Sequence, residues 1–95
     1  MIKSFTGAEE ERIFNGYRSK HFPMEIQNTA YRKLRIIHNA KDIRDLKALP
    51  GNRFEMLGRE RKGQCSIRIN DQYRVCFRWA EEENNAYDVE ISDYH

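Results

Sequence analysis

Two runs in the C-terminal half of the chain alternate apolar with polar residues, and the polar positions hold the side chains most able to do chemistry. Cys65, Ile67 and Ile69 alternate with Gln64, Ser66 and Arg68; Tyr73, Val75, Phe77 and Trp79 alternate with Arg74, Cys76 and Arg78. If the apolar set faces a core, the opposite face of the sheet carries Ser66, Arg68, Arg74 and Arg78, joined from a last strand by Glu90, Ser92 and Tyr94. A face lined by arginines suits a single-stranded nucleic acid, because phosphates need positive charge and bases stack on tyrosine or guanidinium planes. His95 follows directly, a side chain that exchanges protons near neutral pH.

The distribution of charge agrees with a polyanion site more than the net charge of +2 does. Residues 1–52 carry 10 basic and 6 acidic side chains, residues 53–80 carry 7 and 3, and residues 81–95 carry 0 and 6. A basic middle edged by an acidic final strand can orient an anionic ligand, although internal salt bridges on a solvated sheet face account for the same pattern. The hydrophobic share of 39% and the charged share of 34% fit a folded, well-solvated protein rather than a disordered one. No run approaches the roughly 18 apolar residues of a membrane span, and Met1 to Phe5 lack the apolar stretch of a signal peptide, so a cytosolic location is expected. Cys65 and Cys76 lie inside the strand patterns without metal-ligand or disulfide-framework spacing, which predicts two reduced thiols.

The 95 residues suffice for one domain, 1–95, with one modest core. Ile2 to Phe5 reads as a short strand. Thr6 is placed to cap a first helix running to about Tyr17, with Glu9, Glu10 and Glu11 in its first turn. Pro23 is suited to open a second helix ending near Asn39, whose inward stripe is Ile26, Ala30, Leu34 and Ile37. Asp42 to Lys47 forms one or two helical turns with Leu46 and Leu49 inward, and Pro50-Gly51 has the form of a type II turn. Strands then follow at Arg53 to Leu57, at the two alternating runs with a hairpin at Asn70-Asp71, and at the end, where Tyr87, Val89 and Ile91 alternate with Asp88, Glu90 and Ser92. Helices first and an antiparallel meander afterwards give an α+β fold, with helices on one face of the sheet and the other face exposed.

The run from Leu49 to Glu55, the segments Arg61-Lys62-Gly63-Gln64 and Ser66 to Phe77, and the ending Val89 to His95 together resemble the HigB branch of the RelE toxin superfamily, the plasmid-maintenance killer proteins. The similarity covers most of the chain and is strongest over 49–95. It implies a RelE-like fold and the toxin of a type II toxin–antitoxin system: a metal-independent, cofactor-free endoribonuclease that cuts messenger RNA on the ribosome. It also implies a cognate helix-turn-helix antitoxin of the HigA kind, through which alone operator DNA would be contacted. Two alternatives stay open, a translation inhibitor that binds RNA or the ribosome without cutting, and a transcriptional co-repressor acting only with its antitoxin.

Cleavage of this kind needs a 2′-hydroxyl to attack the adjacent phosphate, a base for its proton, cations for the phosphorane and an acid for the leaving 5′-oxygen. The resemblance assigns Arg74 to the transition-state phosphate, with a structural bridge to Glu90 as the alternative. It gives Tyr94 the orientation of the attacking hydroxyl or the stacking of a base, and His95 acid or base work. Asp93 is expected to position the tail. Where the best-studied pattern has a histidine on the strand after the Pro-Gly turn, this chain has Glu55, a candidate general base. Where many relatives read Leu-Lys-Gly-Asp-Arg, it reads Leu57-Gly58-Arg59-Glu60-Arg61. Arg59, Arg61 and Lys62, with Arg68 and Arg78, are the expected contacts to RNA phosphates.

Overall fold

The computed structural model describes residues 1–58 and 63–93. Its elements are α1 (Ala8–Phe14), α2 (Met24–Asn39), α3 (Ile43–Lys47), a 3-10 turn (Pro50–Asn52), β1 (Glu55–Met56), β2 (Gln64–Arg68), β3 (Tyr73–Ala80) and β4 (Asn85–Asp93). The four strands form one antiparallel sheet in the order β1-β2-β3-β4, an α+β arrangement with α1 and α2 packed on one face.

The predicted stripe of α2 is the side that meets the sheet: Ile26, Ala30, Leu34 and Ile37 are all buried. They close on Cys65, Ile67, Val75, Phe77, Val89 and Ile91 in one core cluster. Pro23 precedes the helix as its N-cap residue rather than opening it. The loop between α1 and α2 is held from within. Buried Gln27 donates to the carbonyls of Ser19 and Phe22, at 2.7 and 2.8 Å, and accepts from the Ser19 amide, while the Ser19 hydroxyl donates to Glu9 at 2.6 Å. A buried polar group satisfied in this way fixes a loop that lacks secondary structure of its own.

Several local expectations are corrected. The Thr6 hydroxyl donates to the Val89 carbonyl instead of capping α1, whose N-cap is Gly7, and the helix ends three residues before Tyr17. Ile2 and Phe5 make two isolated parallel bridges to β4 in place of a regular strand. Leu49 is exposed while Leu46 is fully buried. The Pro-Gly pair forms a 3-10 turn, and the left-handed residue is Arg53, with φ 42°, so the type II turn is not adopted. The Arg53–Leu57 strand shrinks to β1, two residues long.

The largest departure is in β4. Arg78 pairs with Tyr87 and Cys76 with Glu90, so one extra residue of β4 lies opposite Phe77. Asp88 takes up this bulge in the left-handed region, φ 54°, a conformation that aspartate tolerates better than most side chains. Ala86, Val89 and Ile91 therefore face the core, and Tyr87 turns to the opposite face, where alternation alone had put it inward. The bulge is tied to the N-terminal segment: the Asp88 amide donates to the Ser4 hydroxyl at 2.8 Å, between the backbone bonds Lys3 to Ala86 and Thr6 to Val89. Among the described residues no helix is long and apolar enough to cross a membrane.

Candidate RNA-binding face

The register of the sheet sets out the second face in three rows. Glu55, Ser66, Cys76 and Glu90 form a central row across all four strands. Arg68, Arg74 and Ser92 form the row on one side, and Gln64, Arg78 and Tyr87 the row on the other. Directly paired side chains on a sheet stand about 5 Å apart, and neighbouring rows are within reach of long side chains. The structure thus brings together four of the expected site residues, Glu55, Arg68, Arg74 and Arg78. Arg59, Arg61, Lys62, Tyr94 and His95 lie outside the described residues.

Arg74 is the best-anchored member. Its Nε donates to the Ser66 hydroxyl at 2.8 Å, and a terminal nitrogen donates to the carbonyls of Arg53 and Ser66. These acceptors are uncharged, so they fix the direction of the guanidinium without cancelling its charge. The cost of that anchoring is exposure. Ser66 and Cys76 are fully or almost fully buried and Arg74 is only 8% exposed, so the face expected to be open is closed over at its centre and open along its borders. The Arg53 carbonyl, between the 3-10 turn and β1, reaches across to Arg74.

Arg68 stands directly opposite Arg74. Like charges so placed destabilise a sheet, and the two guanidiniums turn apart: Arg68 pairs with Asp71 in the hairpin, and Arg74 turns to Ser66. A third cation was not anticipated from the sequence. Lys33 of α2 donates to the Asn52 side-chain oxygen at 2.8 Å and to the Gly51 carbonyl at 3.2 Å, while Asn52, fully buried, donates to the Leu46 carbonyl. Burial lowers the pKa of Lys33, and the charges of Arg32 and Arg68 lower it further. Lys33 thus holds the Gly51 carbonyl and the Asn52 side chain, and Arg74 holds the Arg53 carbonyl of the same turn. The sequence signal for Lys33 was slight: a lysine three residues after Ala30 and one before Leu34, at the edge of the buried stripe.

At the opposite border Arg78 lies over the ring of Tyr87, 4.7 Å from its centroid, with Asp88 3.7 Å from its Nε. Glu55 is exposed at the β1 end of the central row. Asp93 sits apart, on the row of Tyr73, and accepts from Gln72 at 3.0 Å. Both cysteines are buried thiols outside any disulfide; burial pushes the Cys65 thiol up to about 12, with the neighbouring Cys76 adding to the effect, so it packs in the core as a protonated thiol.

Known proteins resemble this chain in sequence and in fold. Over 64 residues the chain is 47% identical to Toxin HigB-1 of Vibrio cholerae serotype O1 (strain ATCC 39315 / El Tor Inaba N16961), covering 67% of each protein. An uncharacterized protein of Haemophilus influenzae (strain ATCC 51907 / DSM 11121 / KW20 / Rd) is 34% identical over 77 residues, 78% of this chain and 76% of its own. Among solved structures, a chain of the YoeB-YefM complex from Staphylococcus aureus superposes with a TM-score of 0.54 at 14% identity, over 100% of this chain and 98% of that one, a likeness of fold alone. The profile described as the RelE-like toxin of type II toxin-antitoxin system HigB matches residues 3–95, and with that match the chain belongs to the HigB-like family of RelE-like toxins.

Proposed function

We propose that this toxin is a messenger-RNA endoribonuclease working on the ribosome, and that Arg74 stabilises the scissile phosphate. The observation that carries the reading is the placement of Arg68 directly opposite Arg74 across two strands, with the Arg74 guanidinium fixed by uncharged acceptors. A sheet built for stability alone gains nothing from two arginines placed directly opposite each other, whereas a phosphorane with its extra negative charge needs a fixed cation before the reaction begins. Arg74, held at Nε and at one terminal nitrogen, is pre-organised for that task.

The 2′-hydroxyl attacks the adjacent phosphorus, the P–O5′ bond breaks, and a 2′,3′-cyclic phosphate and a 5′-hydroxyl result. Glu55, at the exposed end of the central row, is the candidate base, and His95 the candidate acid that protonates the leaving oxygen. Tyr94 orients the substrate, Asp93 positions the tail, and Arg59, Arg61, Lys62, Arg68 and Arg78 hold RNA phosphates. No metal or cofactor enters this scheme, since side chains supply every role in it. A helix-turn-helix antitoxin of the HigA kind is the expected partner that silences the toxin.

The test is induction in growing cells of the wild-type chain, Arg74→Ala and His95→Ala, with folding of each purified variant checked by circular dichroism. Loss of growth arrest in both folded variants supports the assignment; full toxicity in both sinks it. A co-repressor, by contrast, would not stop translation when the wild type is induced without its antitoxin.

A further inference from the structure

We infer that Arg78 and Tyr87 form a stacking platform for one nucleobase of single-stranded RNA, at the border of the face opposite the Arg68–Arg74 row; this rests on the RNA-cleaving reading above. Arg78 and Tyr87 are direct cross-strand partners, and the guanidinium lies over the phenol ring at 4.7 Å. The pair is held in place at its edges. Tyr87 donates its hydroxyl to Glu83, and Asp88 approaches the Arg78 Nε, so polar groups at the rim restrain both planes. Arg78 nevertheless keeps 46% of its side chain exposed, in contrast to Arg74 at the closed centre of the face.

The bulge makes this arrangement. Without the extra residue at Asp88, regular alternation would turn Tyr87 into the core and Ala86 outward. With it, a small side chain fills the core and a planar one faces outward. The Ser4 hydroxyl, which accepts from the Asp88 amide, pins the bulge from the N-terminal segment. A bulge that redirects an aromatic side chain to a charged face is a common device beside functional sites. A guanidinium already stacked on a ring presents a flat cation to a base, a mode of contact that tolerates any base because every base has a π-face. A phosphate drawn to Arg68, whose side chain is 33% exposed, would fix the backbone while the platform fixes a base on the same strand.

The test uses the purified full chain and a short single-stranded RNA carrying 2′-methoxy groups throughout, which blocks attack by the 2′-oxygen. Each base in turn is replaced by an abasic site, and binding is read by fluorescence anisotropy. For the wild type, one position should lose about tenfold in affinity on base removal, the order of one stacking contact. In Arg78→Lys, which keeps the charge but not the plane, and in Tyr87→Leu, that loss should shrink to less than about twofold, while Tyr87→Phe, which keeps the ring and gives up only its tie to Glu83, should keep most of the loss. If Tyr87→Leu fails to fold, Arg78→Lys decides alone. An abasic loss that persists unchanged in Arg78→Lys overturns the platform while leaving the RNA reading intact. A wild-type chain that binds no RNA overturns the platform alone, since a chain that acts only on the ribosome need not hold free RNA; the RNA-cleaving reading falls only if induction of the lone chain leaves cellular mRNA uncut.

Discussion

Arg74 is asked to hold structure and charge at once, and the two demands can be separated through its neighbour. Ser66 accepts from the Arg74 Nε and is itself fully buried, yet it is assigned no contact with phosphate. Ser66→Ala should lower stability by about 1 kcal/mol, the ordinary worth of one such bond, and should lower cleavage about tenfold or more because the guanidinium loses its direction. Urea denaturation and a cleavage assay on the same preparation check this; unchanged activity at reduced stability would mean that the bond only holds the sheet. Alternation along β2 and β3 was enough to place Arg68, Arg74 and Arg78 on one face, because a period of two leaves no freedom once the apolar side is buried. Burial of Arg74 was not legible in the same way. Its guanidinium meets a carbonyl from Arg53, 21 positions away in sequence, and no local pattern encodes that approach.

Among the elements, α2 was the most legible, since a stripe of four apolar residues specifies both the helix and the side it buries. The bulge in β4 was the least, because nothing in Tyr87-Asp88-Val89 breaks the alternation until Ala86 is seen to fill the core instead. Asp88→Gly should be nearly neutral in stability, since glycine adopts φ near 54° without strain, whereas Asp88→Val should cost about 1–2 kcal/mol. Equal denaturation midpoints for the two variants would contradict the bulge. The N-terminal segment is tied down at its other end by His38, whose Nδ1 accepts from the Ile2 amide at 3.2 Å while its ring meets Phe14 edge-on. Burial lowers the His38 pKa below 6.5, helped by the positive N-terminus and by Arg35. The unfolded chain therefore takes up this proton first, so the stabilisation is complete above about pH 6.5 and is lost as the pH falls from there through the folded value. Stability should fall more between pH 7.5 and 5.5 for the wild type than for His38→Gln. The depressed carboxyls of Asp42 and Glu83 act only at lower pH, from their ordinary values of 3.8 and 4.5 downward, and do not confuse the comparison.

For the molecule as a whole, the helices and the core lie on one side of the sheet and the arginines of β2 and β3 on the other. The core side could be mapped from hydrophobic periodicity, and the family from the strings around Pro50-Gly51 and Tyr73-Arg74. The extent of the cationic region could not, because Lys33 comes from a helix that packs on the opposite side and reaches the site only by way of the turn at Gly51 and Asn52. The proposed function is that this cationic face acts on messenger RNA inside the ribosome. Its most direct test is to map the 5′ ends of cellular mRNA shortly after the lone chain is induced, beside Arg74→Ala. New 5′-hydroxyl ends that recur in one position of the reading frame, on translated messages only and absent from the variant, are the predicted result. Growth arrest without such ends, or cuts that ignore the frame and appear equally in untranslated RNA, would contradict it.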